Sequence, residues 1–346
     1  QATIARARSR GQMVAPAHVG LGQTLDALGE YGDAFAEMTK GQEGWGRTPA
    51  AQAVDKGFFP KVIREYRALV MTDVSKAWPK ERPQGSRPAP VFFIGFPRSG
   101  TTLTEQILGA HPGLMATDER PLVRAMADRL RSVRPRLTDQ GEAIRQMTED
   151  DRALLEATYW NAVGRYFSPA ELGSRRVLDK LPMNTVWVPL IRRVFPDAKI
   201  LFALRDPRDV VLSCFFQEFA LNEANVHFTQ LRSSAELYAQ VMGLWLACRD
   251  RLGLDWLATR YESLVLDVEG AARQMLQWLG EPWDERVLAF QSVQRLSRTA
   301  SYAQVTKPVS TSAVARWKRY ERELEPVLPI LAPFVKAFGY ADDSRT

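Results

Sequence analysis

The 346-residue sequence predicts an α/β fold, a central parallel β-sheet flanked by helices in three layers, with a short helical segment ahead of it. Three observations predict it. From Pro90 onward, strand-like apolar runs alternate with helical ones, the pattern of a parallel sheet covered on both faces. A glycine-framed loop, Gly95-Phe-Pro-Arg-Ser-Gly-Thr-Thr102, joins the first of these runs to a helix-patterned stretch. Near the start, Leu21, Leu25 and Leu28, then Tyr31, Ala34 and Phe35, repeat at helical spacing on either side of Gly29.

In chain order, residues 1–50 read as a helical pair whose Leu-Gly and Leu-Gly-x-Tyr-x-x-Ala-Phe order resembles a tetratricopeptide repeat; a plain helical hairpin fits as well. Such a unit cannot bury its face alone. The chain starts at Gln1 without methionine, so the expectation is the last unit of an array or a piece of something longer. Residues 51–88 hold a connector helix, Phe59 to Ala77, and a Pro/Gly/Arg-rich linker, Pro79 to Pro90; residues 89–346 form the main domain. Candidate strands are Val91–Gly95, Arg176–Asp179, Lys199–Leu204 and Asp255–Tyr261. The C-terminal part is helical except for Leu296 to Ser312, a polar loop suited to close over a ligand.

With 45% apolar and 25% charged residues, the composition is that of an ordinary globular protein. No apolar run approaches the roughly 20 residues that a membrane span requires. The arginine-rich first ten residues lack the apolar core of a secretory signal, so a cytoplasmic location is expected. Cys214 and Cys248 sit in apolar helical patterns and read as buried, reduced thiols. His18, His111 and His227 have no metal-ligand spacing, so neither a metal site nor histidine catalysis is expected. Lys and Arg outnumber Asp and Glu by 46 to 40. The arginines lack interleaved aromatics, which argues against nucleic acid.

The Gly95–Thr102 loop has the spacing of a phosphate-binding P-loop, two glycines with four residues between them and a hydroxyl at the end. Thr101 stands where the lysine of an ATP-hydrolysing loop belongs. The backbone cradle is kept, an anion is expected on the following helix N-terminus, and Arg98 supplies the missing positive charge. In the second informative segment, Lys199 to Ser213, a strand ends at Arg205, Asp206 caps a helix and Pro207 takes its first position. Ser213 falls two turns on, so Arg205 and Ser213 suit a common phosphate. Alone, this pattern reads equally well as a surface Arg–Asp pair with a capping motif.

Together the two segments resemble sulfotransferases that use 3′-phosphoadenosine 5′-phosphosulfate, most closely the bacterial tetratricopeptide-linked type, which is similar to tyrosylprotein sulfotransferases. The resemblance covers about Pro90 to Tyr320. It implies that Arg98, Ser99, Gly100, Thr101 and Thr102 bind the 5′-phosphosulfate and that Arg205 and Ser213 bind the 3′-phosphate. It implies Glu119 as general base, at the start of the helix after His111-Pro112, although Asp118 stands where the family has glycine and is the alternative base. Lys180 is implied to hold the bridging oxygen and neutralise the leaving group, with Asp179 as its orienting partner. Tyr261 reads as a cofactor contact or as core. Ser301, Lys307 and Arg316 resemble the family's cofactor-covering loop, though the family often has lysine at the position of Arg316.

The function expected from the resemblance is in-line transfer of a sulfuryl group to a hydroxyl on a peptide tyrosine or a glycan. The sulfuryl group carries less negative charge than a phosphoryl group, so protein donors suffice and no metal is expected. A protein partner on the repeat-like segment and a homodimer are further expectations. Two other readings stay open. One is a P-loop kinase or NTPase, which needs a lysine that no Gly-Lys-Ser/Thr in this chain supplies. The other is a repeat-bearing scaffold on an inactive fold.

Overall fold

A computed structural model of the chain describes residues 14–292 and 310–341. The strands are β1 (Val91–Ile94), β2 (Leu114–Ala116), β3 (Arg176–Lys180), β4 (Lys199–Leu204) and β5 (Asp255–Arg260). Numbering only the longer helices, the chain forms α1 (Ala15–Leu28), α2 (Tyr31–Gly46), α3 (Phe58–Val70), α4 (Thr101–Gly109), α5 (Leu122–Val133), α6 (Glu149–Gly164), α7 (Val188–Val194), α8 (Pro207–Phe215), α9 (Leu231–Arg251), α10 (Tyr261–Leu266), α11 (Val268–Leu279) and α12 (Leu328–Ala337). Two compact units result. One comprises Lys61–Leu204 and Gly243–Thr311; the other comprises Gln1–Pro60, Arg205–Met242 and Ser312–Thr346.

The first unit holds the whole sheet, parallel throughout, in the order β2-β3-β1-β4-β5. From β1 the chain goes out to β2, returns through β3 beside β1, and then continues on the other side of β1 as β4 and β5. The carboxyl end of β1 is therefore the point where strand order reverses, the place where open parallel sheets leave a crevice. Strands covered on both faces read as continuous apolar runs. Val91 to Ile94 are fully buried, Phe92 packs on Tyr159 and Phe195, and Phe202 stacks on Trp245 at 4.3 Å.

Four of the five strands match the apolar runs to within a residue. The fifth, β2, was not expected, and Tyr261 opens α10 where the sequence reading had it end a strand. The connector helix stops at Val70, and a separate 3₁₀ turn covers Asp73–Ala77. Residues 79–90 carry no helix or strand, yet Arg82 there pairs with both Glu156 and Asp197.

In the second unit, α1 and α2 form a hairpin turned at Gly29, whose φ of 85° favours glycine. The helices meet closely through small residues. A Cβ on Gly41 lies 2.7 Å from Val19 Cγ2, and one on Gly44 lies 2.9 Å from Ala15 Cβ, so neither position accepts a side chain without a shift. The free face of the hairpin packs within the same unit. Phe35 contacts the rings of Phe215, Phe216 and Tyr320, and the Gln42 amide donates to the carbonyls of Phe215 and Gln217 at the end of α8. Asp26 accepts from the Tyr320 hydroxyl at 2.5 Å and pairs with Arg316 at 3.0 Å.

Candidate active site

The glycine-framed loop leaves the carboxyl end of β1 and is clamped at its root. The Gly95 N–H donates to Pro182 O and to Thr185 Oγ1, and the Thr185 hydroxyl donates back to Gly95 O at 2.6 Å. A Cβ on Gly95 lies only 2.9 Å from Ala203 O, so glycine lets the loop start flush against β4. Arg98 at φ 71° and Gly100 at φ 91° turn the chain into α4, and Gly100 is an N-cap with no side-chain bond to the helix amides. Gly100 itself offers no side chain to cap the first turn of this nine-residue helix, whose N-terminus is the kind of site that takes an anion. Ser99, Thr101 and Thr102 are buried around it.

Tyr261 closes one side of this loop. A Cβ on Gly100 lies 2.6 Å from Tyr261 Cδ2. The ring therefore occupies the space that any other residue at position 100 requires.

At the carboxyl end of β3, Lys180 is fully buried and faces two carboxylates. Its Nζ lies 2.8 Å from Glu105 Oε2 on α4 and 2.8 Å from Glu119 Oε1. Burial lowers the ammonium's pKa, but the Glu105 and Glu119 charges outweigh it and hold Lys180 above the ordinary lysine range. Burial also pushes the Glu105 carboxyl up. Against that, Oε1 accepts the Asp118 N–H at 3.0 Å and Oε2 forms an ion pair with the Lys180 ammonium, and both favour the ionised form.

The segment carrying Glu119 runs beside β3 beyond the end of β2. Thr117 N–H donates to Leu178 O, the Lys180 N–H to Thr117 Oγ1, and the Glu119 N–H to Lys180 O at 3.1 Å. Asp118 and Glu119 then take left-handed φ values of 51° and 60°. With Arg98, they account for three of the four non-glycine residues at positive φ among the described residues. Such strain persists where the surroundings over-determine it, and functional sites are its usual home. The helix expected to start at Glu119 starts instead at Leu122, so Glu119 sits on a strained turn with its side chain about one-third exposed. An accessible carboxylate held against a buried ammonium is equipped to take a proton from a bound hydroxyl.

Asp179 is not the partner of Lys180. Successive strand residues point to opposite faces, and the Asp179 carboxylate is buried on the other side, accepting from the Tyr159 hydroxyl at 2.9 Å and from Asn184 Nδ2 at 3.3 Å. Burial pushes its pKa up to about 7. The partner that the sequence reading missed is Glu105. In Thr101-Thr-Leu-Thr-Glu-Gln-Ile-Leu108, its only signal is a lone acid on a helix that is otherwise uncharged.

Arg205 and Ser213 belong to the second unit, and both are buried. Asp206 caps α8 as expected, accepting from the Arg208 N–H at 2.9 Å, with Pro207 at the first position. Arg205 donates to Ala313 O at 2.6 Å and lies 3.8 Å from Asp209, whose other oxygen accepts from the Trp317 N–H. Arg316 pairs with Asp26 and lies over the ring of Phe216. Ser301 and Lys307 lie outside the described residues. Among the described residues, no cluster of His, Cys, Asp or Glu is arranged to hold a metal ion, and no helix is long and apolar enough to cross a membrane.

Comparison with known proteins adds a lineage to this geometry. A family model described as the sulfotransferase family matches residues 90–285. An uncharacterized protein of Aquifex aeolicus is 34% identical over 285 residues, covering 78% of this chain and 36% of its own length. Protein-tyrosine sulfotransferase A of Caenorhabditis elegans is 25% identical over 273 residues, covering 74% and 68%. Protein-tyrosine sulfotransferase 1 of Danio rerio is 26% identical over 272 residues, covering 72% of each. This chain thus spans about a third of the first relative and about two-thirds of the other two. Among solved structures, the sulfotransferase domain from the curacin biosynthetic pathway aligns with a TM-score of 0.48 at 18% identity, covering 67% of this chain and 92% of that one.

Proposed function

The chain belongs to the sulfotransferase family, and on that premise we propose that it moves a sulfuryl group from 3′-phosphoadenosine 5′-phosphosulfate to a hydroxyl acceptor, a peptide tyrosine or a glycan. The observation that carries the reading is the Glu119–Lys180 pair at the carboxyl end of β3, next to the strand that delivers the helix N-terminus after Gly100. Arg98, Ser99, Gly100, Thr101 and Thr102 take the 5′-phosphosulfate, with Tyr261 beside them. Arg205 and Ser213 take the 3′-phosphate, and Ser301, Lys307 and Arg316 complete the set.

In the transfer, the acceptor oxygen forms a bond to sulfur as the bond from sulfur to the bridging phosphate oxygen breaks. The Glu119 carboxylate takes the hydroxyl proton, and Lys180 and Arg98 balance the charge that grows on the departing phosphate. The products are the sulfated acceptor and 3′-phosphoadenosine 5′-phosphate. No metal enters the scheme. The names of the relatives favour a tyrosine acceptor. A cytoplasmic setting, a partner on the α1–α2 hairpin and a homodimer belong to the same reading.

The test is ligand selectivity. 3′,5′-Adenosine bisphosphate in the presence of a chelator raises the melting temperature, and Mg-ATP does not. A larger shift with Mg-ATP transfers the case to a P-loop kinase or NTPase. Mass spectrometry of peptide and glycan panels incubated with labelled donor then identifies the acceptor. If bisphosphate binds but wild type sulfates nothing in the panels, the fold is an inactive scaffold.

A further inference from the structure

Glu105 is absent from the reaction as written, yet it is far more deeply placed than Glu119. Its side chain is 3% exposed against 32% for Glu119. Its two oxygens do different jobs. One accepts the Asp118 N–H and so braces the left-handed turn that carries Glu119; the other pairs with the Lys180 ammonium. One side chain on the loop's own helix therefore fixes both the base and the cation.

The charge count across the reaction gives this arrangement a purpose. At rest, the Lys180 ammonium stands between two carboxylates. Once Glu119 accepts the acceptor's proton it becomes neutral, and the attraction that held Lys180 from that side is gone. Leaving a fully buried ammonium without a counter-charge costs several kcal/mol, and a buried lysine answers by shedding its proton. Glu105 lies out of an acceptor's reach and so does not cycle with Glu119, and the Lys180 ammonium and the Asp118 N–H beside its oxygens favour its ionised form against the burial that pushes its pKa up. We propose that Glu105 is a positioning residue for the transfer, the permanent counter-charge that keeps Lys180 in place and protonated while Glu119 takes up and returns its proton. This rests on the roles given above to Glu119 and Lys180.

The ionisable groups around the pair are few. Glu105 and Glu119 face Lys180 directly, and the carboxyls of Asp118 and Asp179 interact electrostatically with Glu105. Binding of 3′,5′-adenosine bisphosphate, read by calorimetry in buffers of different ionisation enthalpy from about pH 7.5 to about pH 9, reports the protonation of Lys180 without any turnover. Wild type is expected to take up almost no proton on binding. Glu105→Gln placed in a Glu119→Gln background keeps both shapes and leaves no carboxylate beside Lys180; it takes up about one proton per ligand, and its affinity falls roughly tenfold relative to Glu119→Gln alone across that range.

Glu119→Gln, on the more exposed side, is expected to behave as wild type in this titration while losing transfer. The proposal is overturned if the double variant follows the wild-type profile, or if Glu119→Gln alone shows the proton uptake expected of the double variant. The Glu119→Gln arm decides the matter even if the double variant gives no cooperative melt. Failure of wild type to bind the bisphosphate at all overturns the functional reading and this inference with it, and is told apart by that result alone.

Discussion

Glu119 and Lys180 are joined twice: Oε1 of the glutamate lies 2.8 Å from the lysine Nζ, and the glutamate's N–H donates to the lysine's carbonyl at 3.1 Å. The backbone bond keeps the turn in register with β3 whatever the charge on the side chain. Glu119→Gln should therefore leave bisphosphate affinity within about threefold of wild type while turnover of labelled donor drops by about 10²- to 10⁴-fold, the usual worth of a general base. Turnover within a factor of a few of wild type removes Glu119 from that role and turns attention to Asp118.

Gly100 is held at φ 91° with the Tyr261 ring where a Cβ belongs. Gly100→Ala adds about 1–2 kcal/mol of backbone strain and a clash that has to displace the ring. Thermal melts should show the loss, and bisphosphate binding should weaken by about tenfold or more as the loop shifts. Adding Tyr261→Ala relieves the clash and leaves the strain, so the double variant recovers part of the melting temperature. No recovery means that the ring does not set the glycine requirement.

Asp179 carries a pH dependence with a definite sign. Its carboxyl rises from 3.8 to about 7 on folding, so the native state binds the proton more tightly than the unfolded chain. That contribution is fully present below about pH 4 and is lost as pH climbs towards 7; at about 1.4 kcal/mol per unit it amounts to at most about 4 kcal/mol. Denaturant midpoints should fall between about pH 5 and about pH 7.5, and Asp179→Asn should flatten that slope. A variant whose slope equals that of wild type assigns the effect to other groups.

Arg205 is assigned to the 3′-phosphate, and the assignment is a difference measurement. Arg205→Met should weaken 3′,5′-adenosine bisphosphate by about 10- to 100-fold, the value of a charge-assisted bond, and leave adenosine 5′-phosphate nearly unchanged. Equal losses for both ligands indicate that the residue serves the fold through Ala313 and Asp209 instead.

Asp26 joins α1 to the segment after residue 310 through Arg316 and Tyr320. Burial and the Asp26 charge both hold the Tyr320 phenol neutral. Asp26→Ala strands both partners and should cost about 1–3 kcal/mol in chemical denaturation. Pairing it with Tyr320→Phe should cost less than the sum of the two single changes.

Much of the sheet was legible because β1 and β4 are buried on both faces and announce themselves as apolar runs. The three residues of β2 carry too little pattern to separate them from a turn. The glycine-framed loop was readable because its spacing and its strand–loop–helix setting are local. Glu105 was not, because a single acid in a helix looks like a solvated charge until burial is known. Asp179 was misread for a geometric reason: adjacency in sequence puts two strand residues back to back, so the nearest candidate on the chain was the wrong one in space. The partners of Asp26 lie too far along the chain for any window of sequence to reveal them.

That last distance governs how the protein is made. Asp26 and Tyr320 are separated by 294 residues, and the face of the hairpin that bears Phe35 finds its partners only on α8 and near Tyr320. At about 5–20 residues per second of synthesis, the hairpin waits roughly 15–60 s for its last contacts to emerge. Throughout that interval the hairpin carries an uncovered aromatic face on the growing chain, and it is the nascent chain that needs a chaperone's protection from its neighbours.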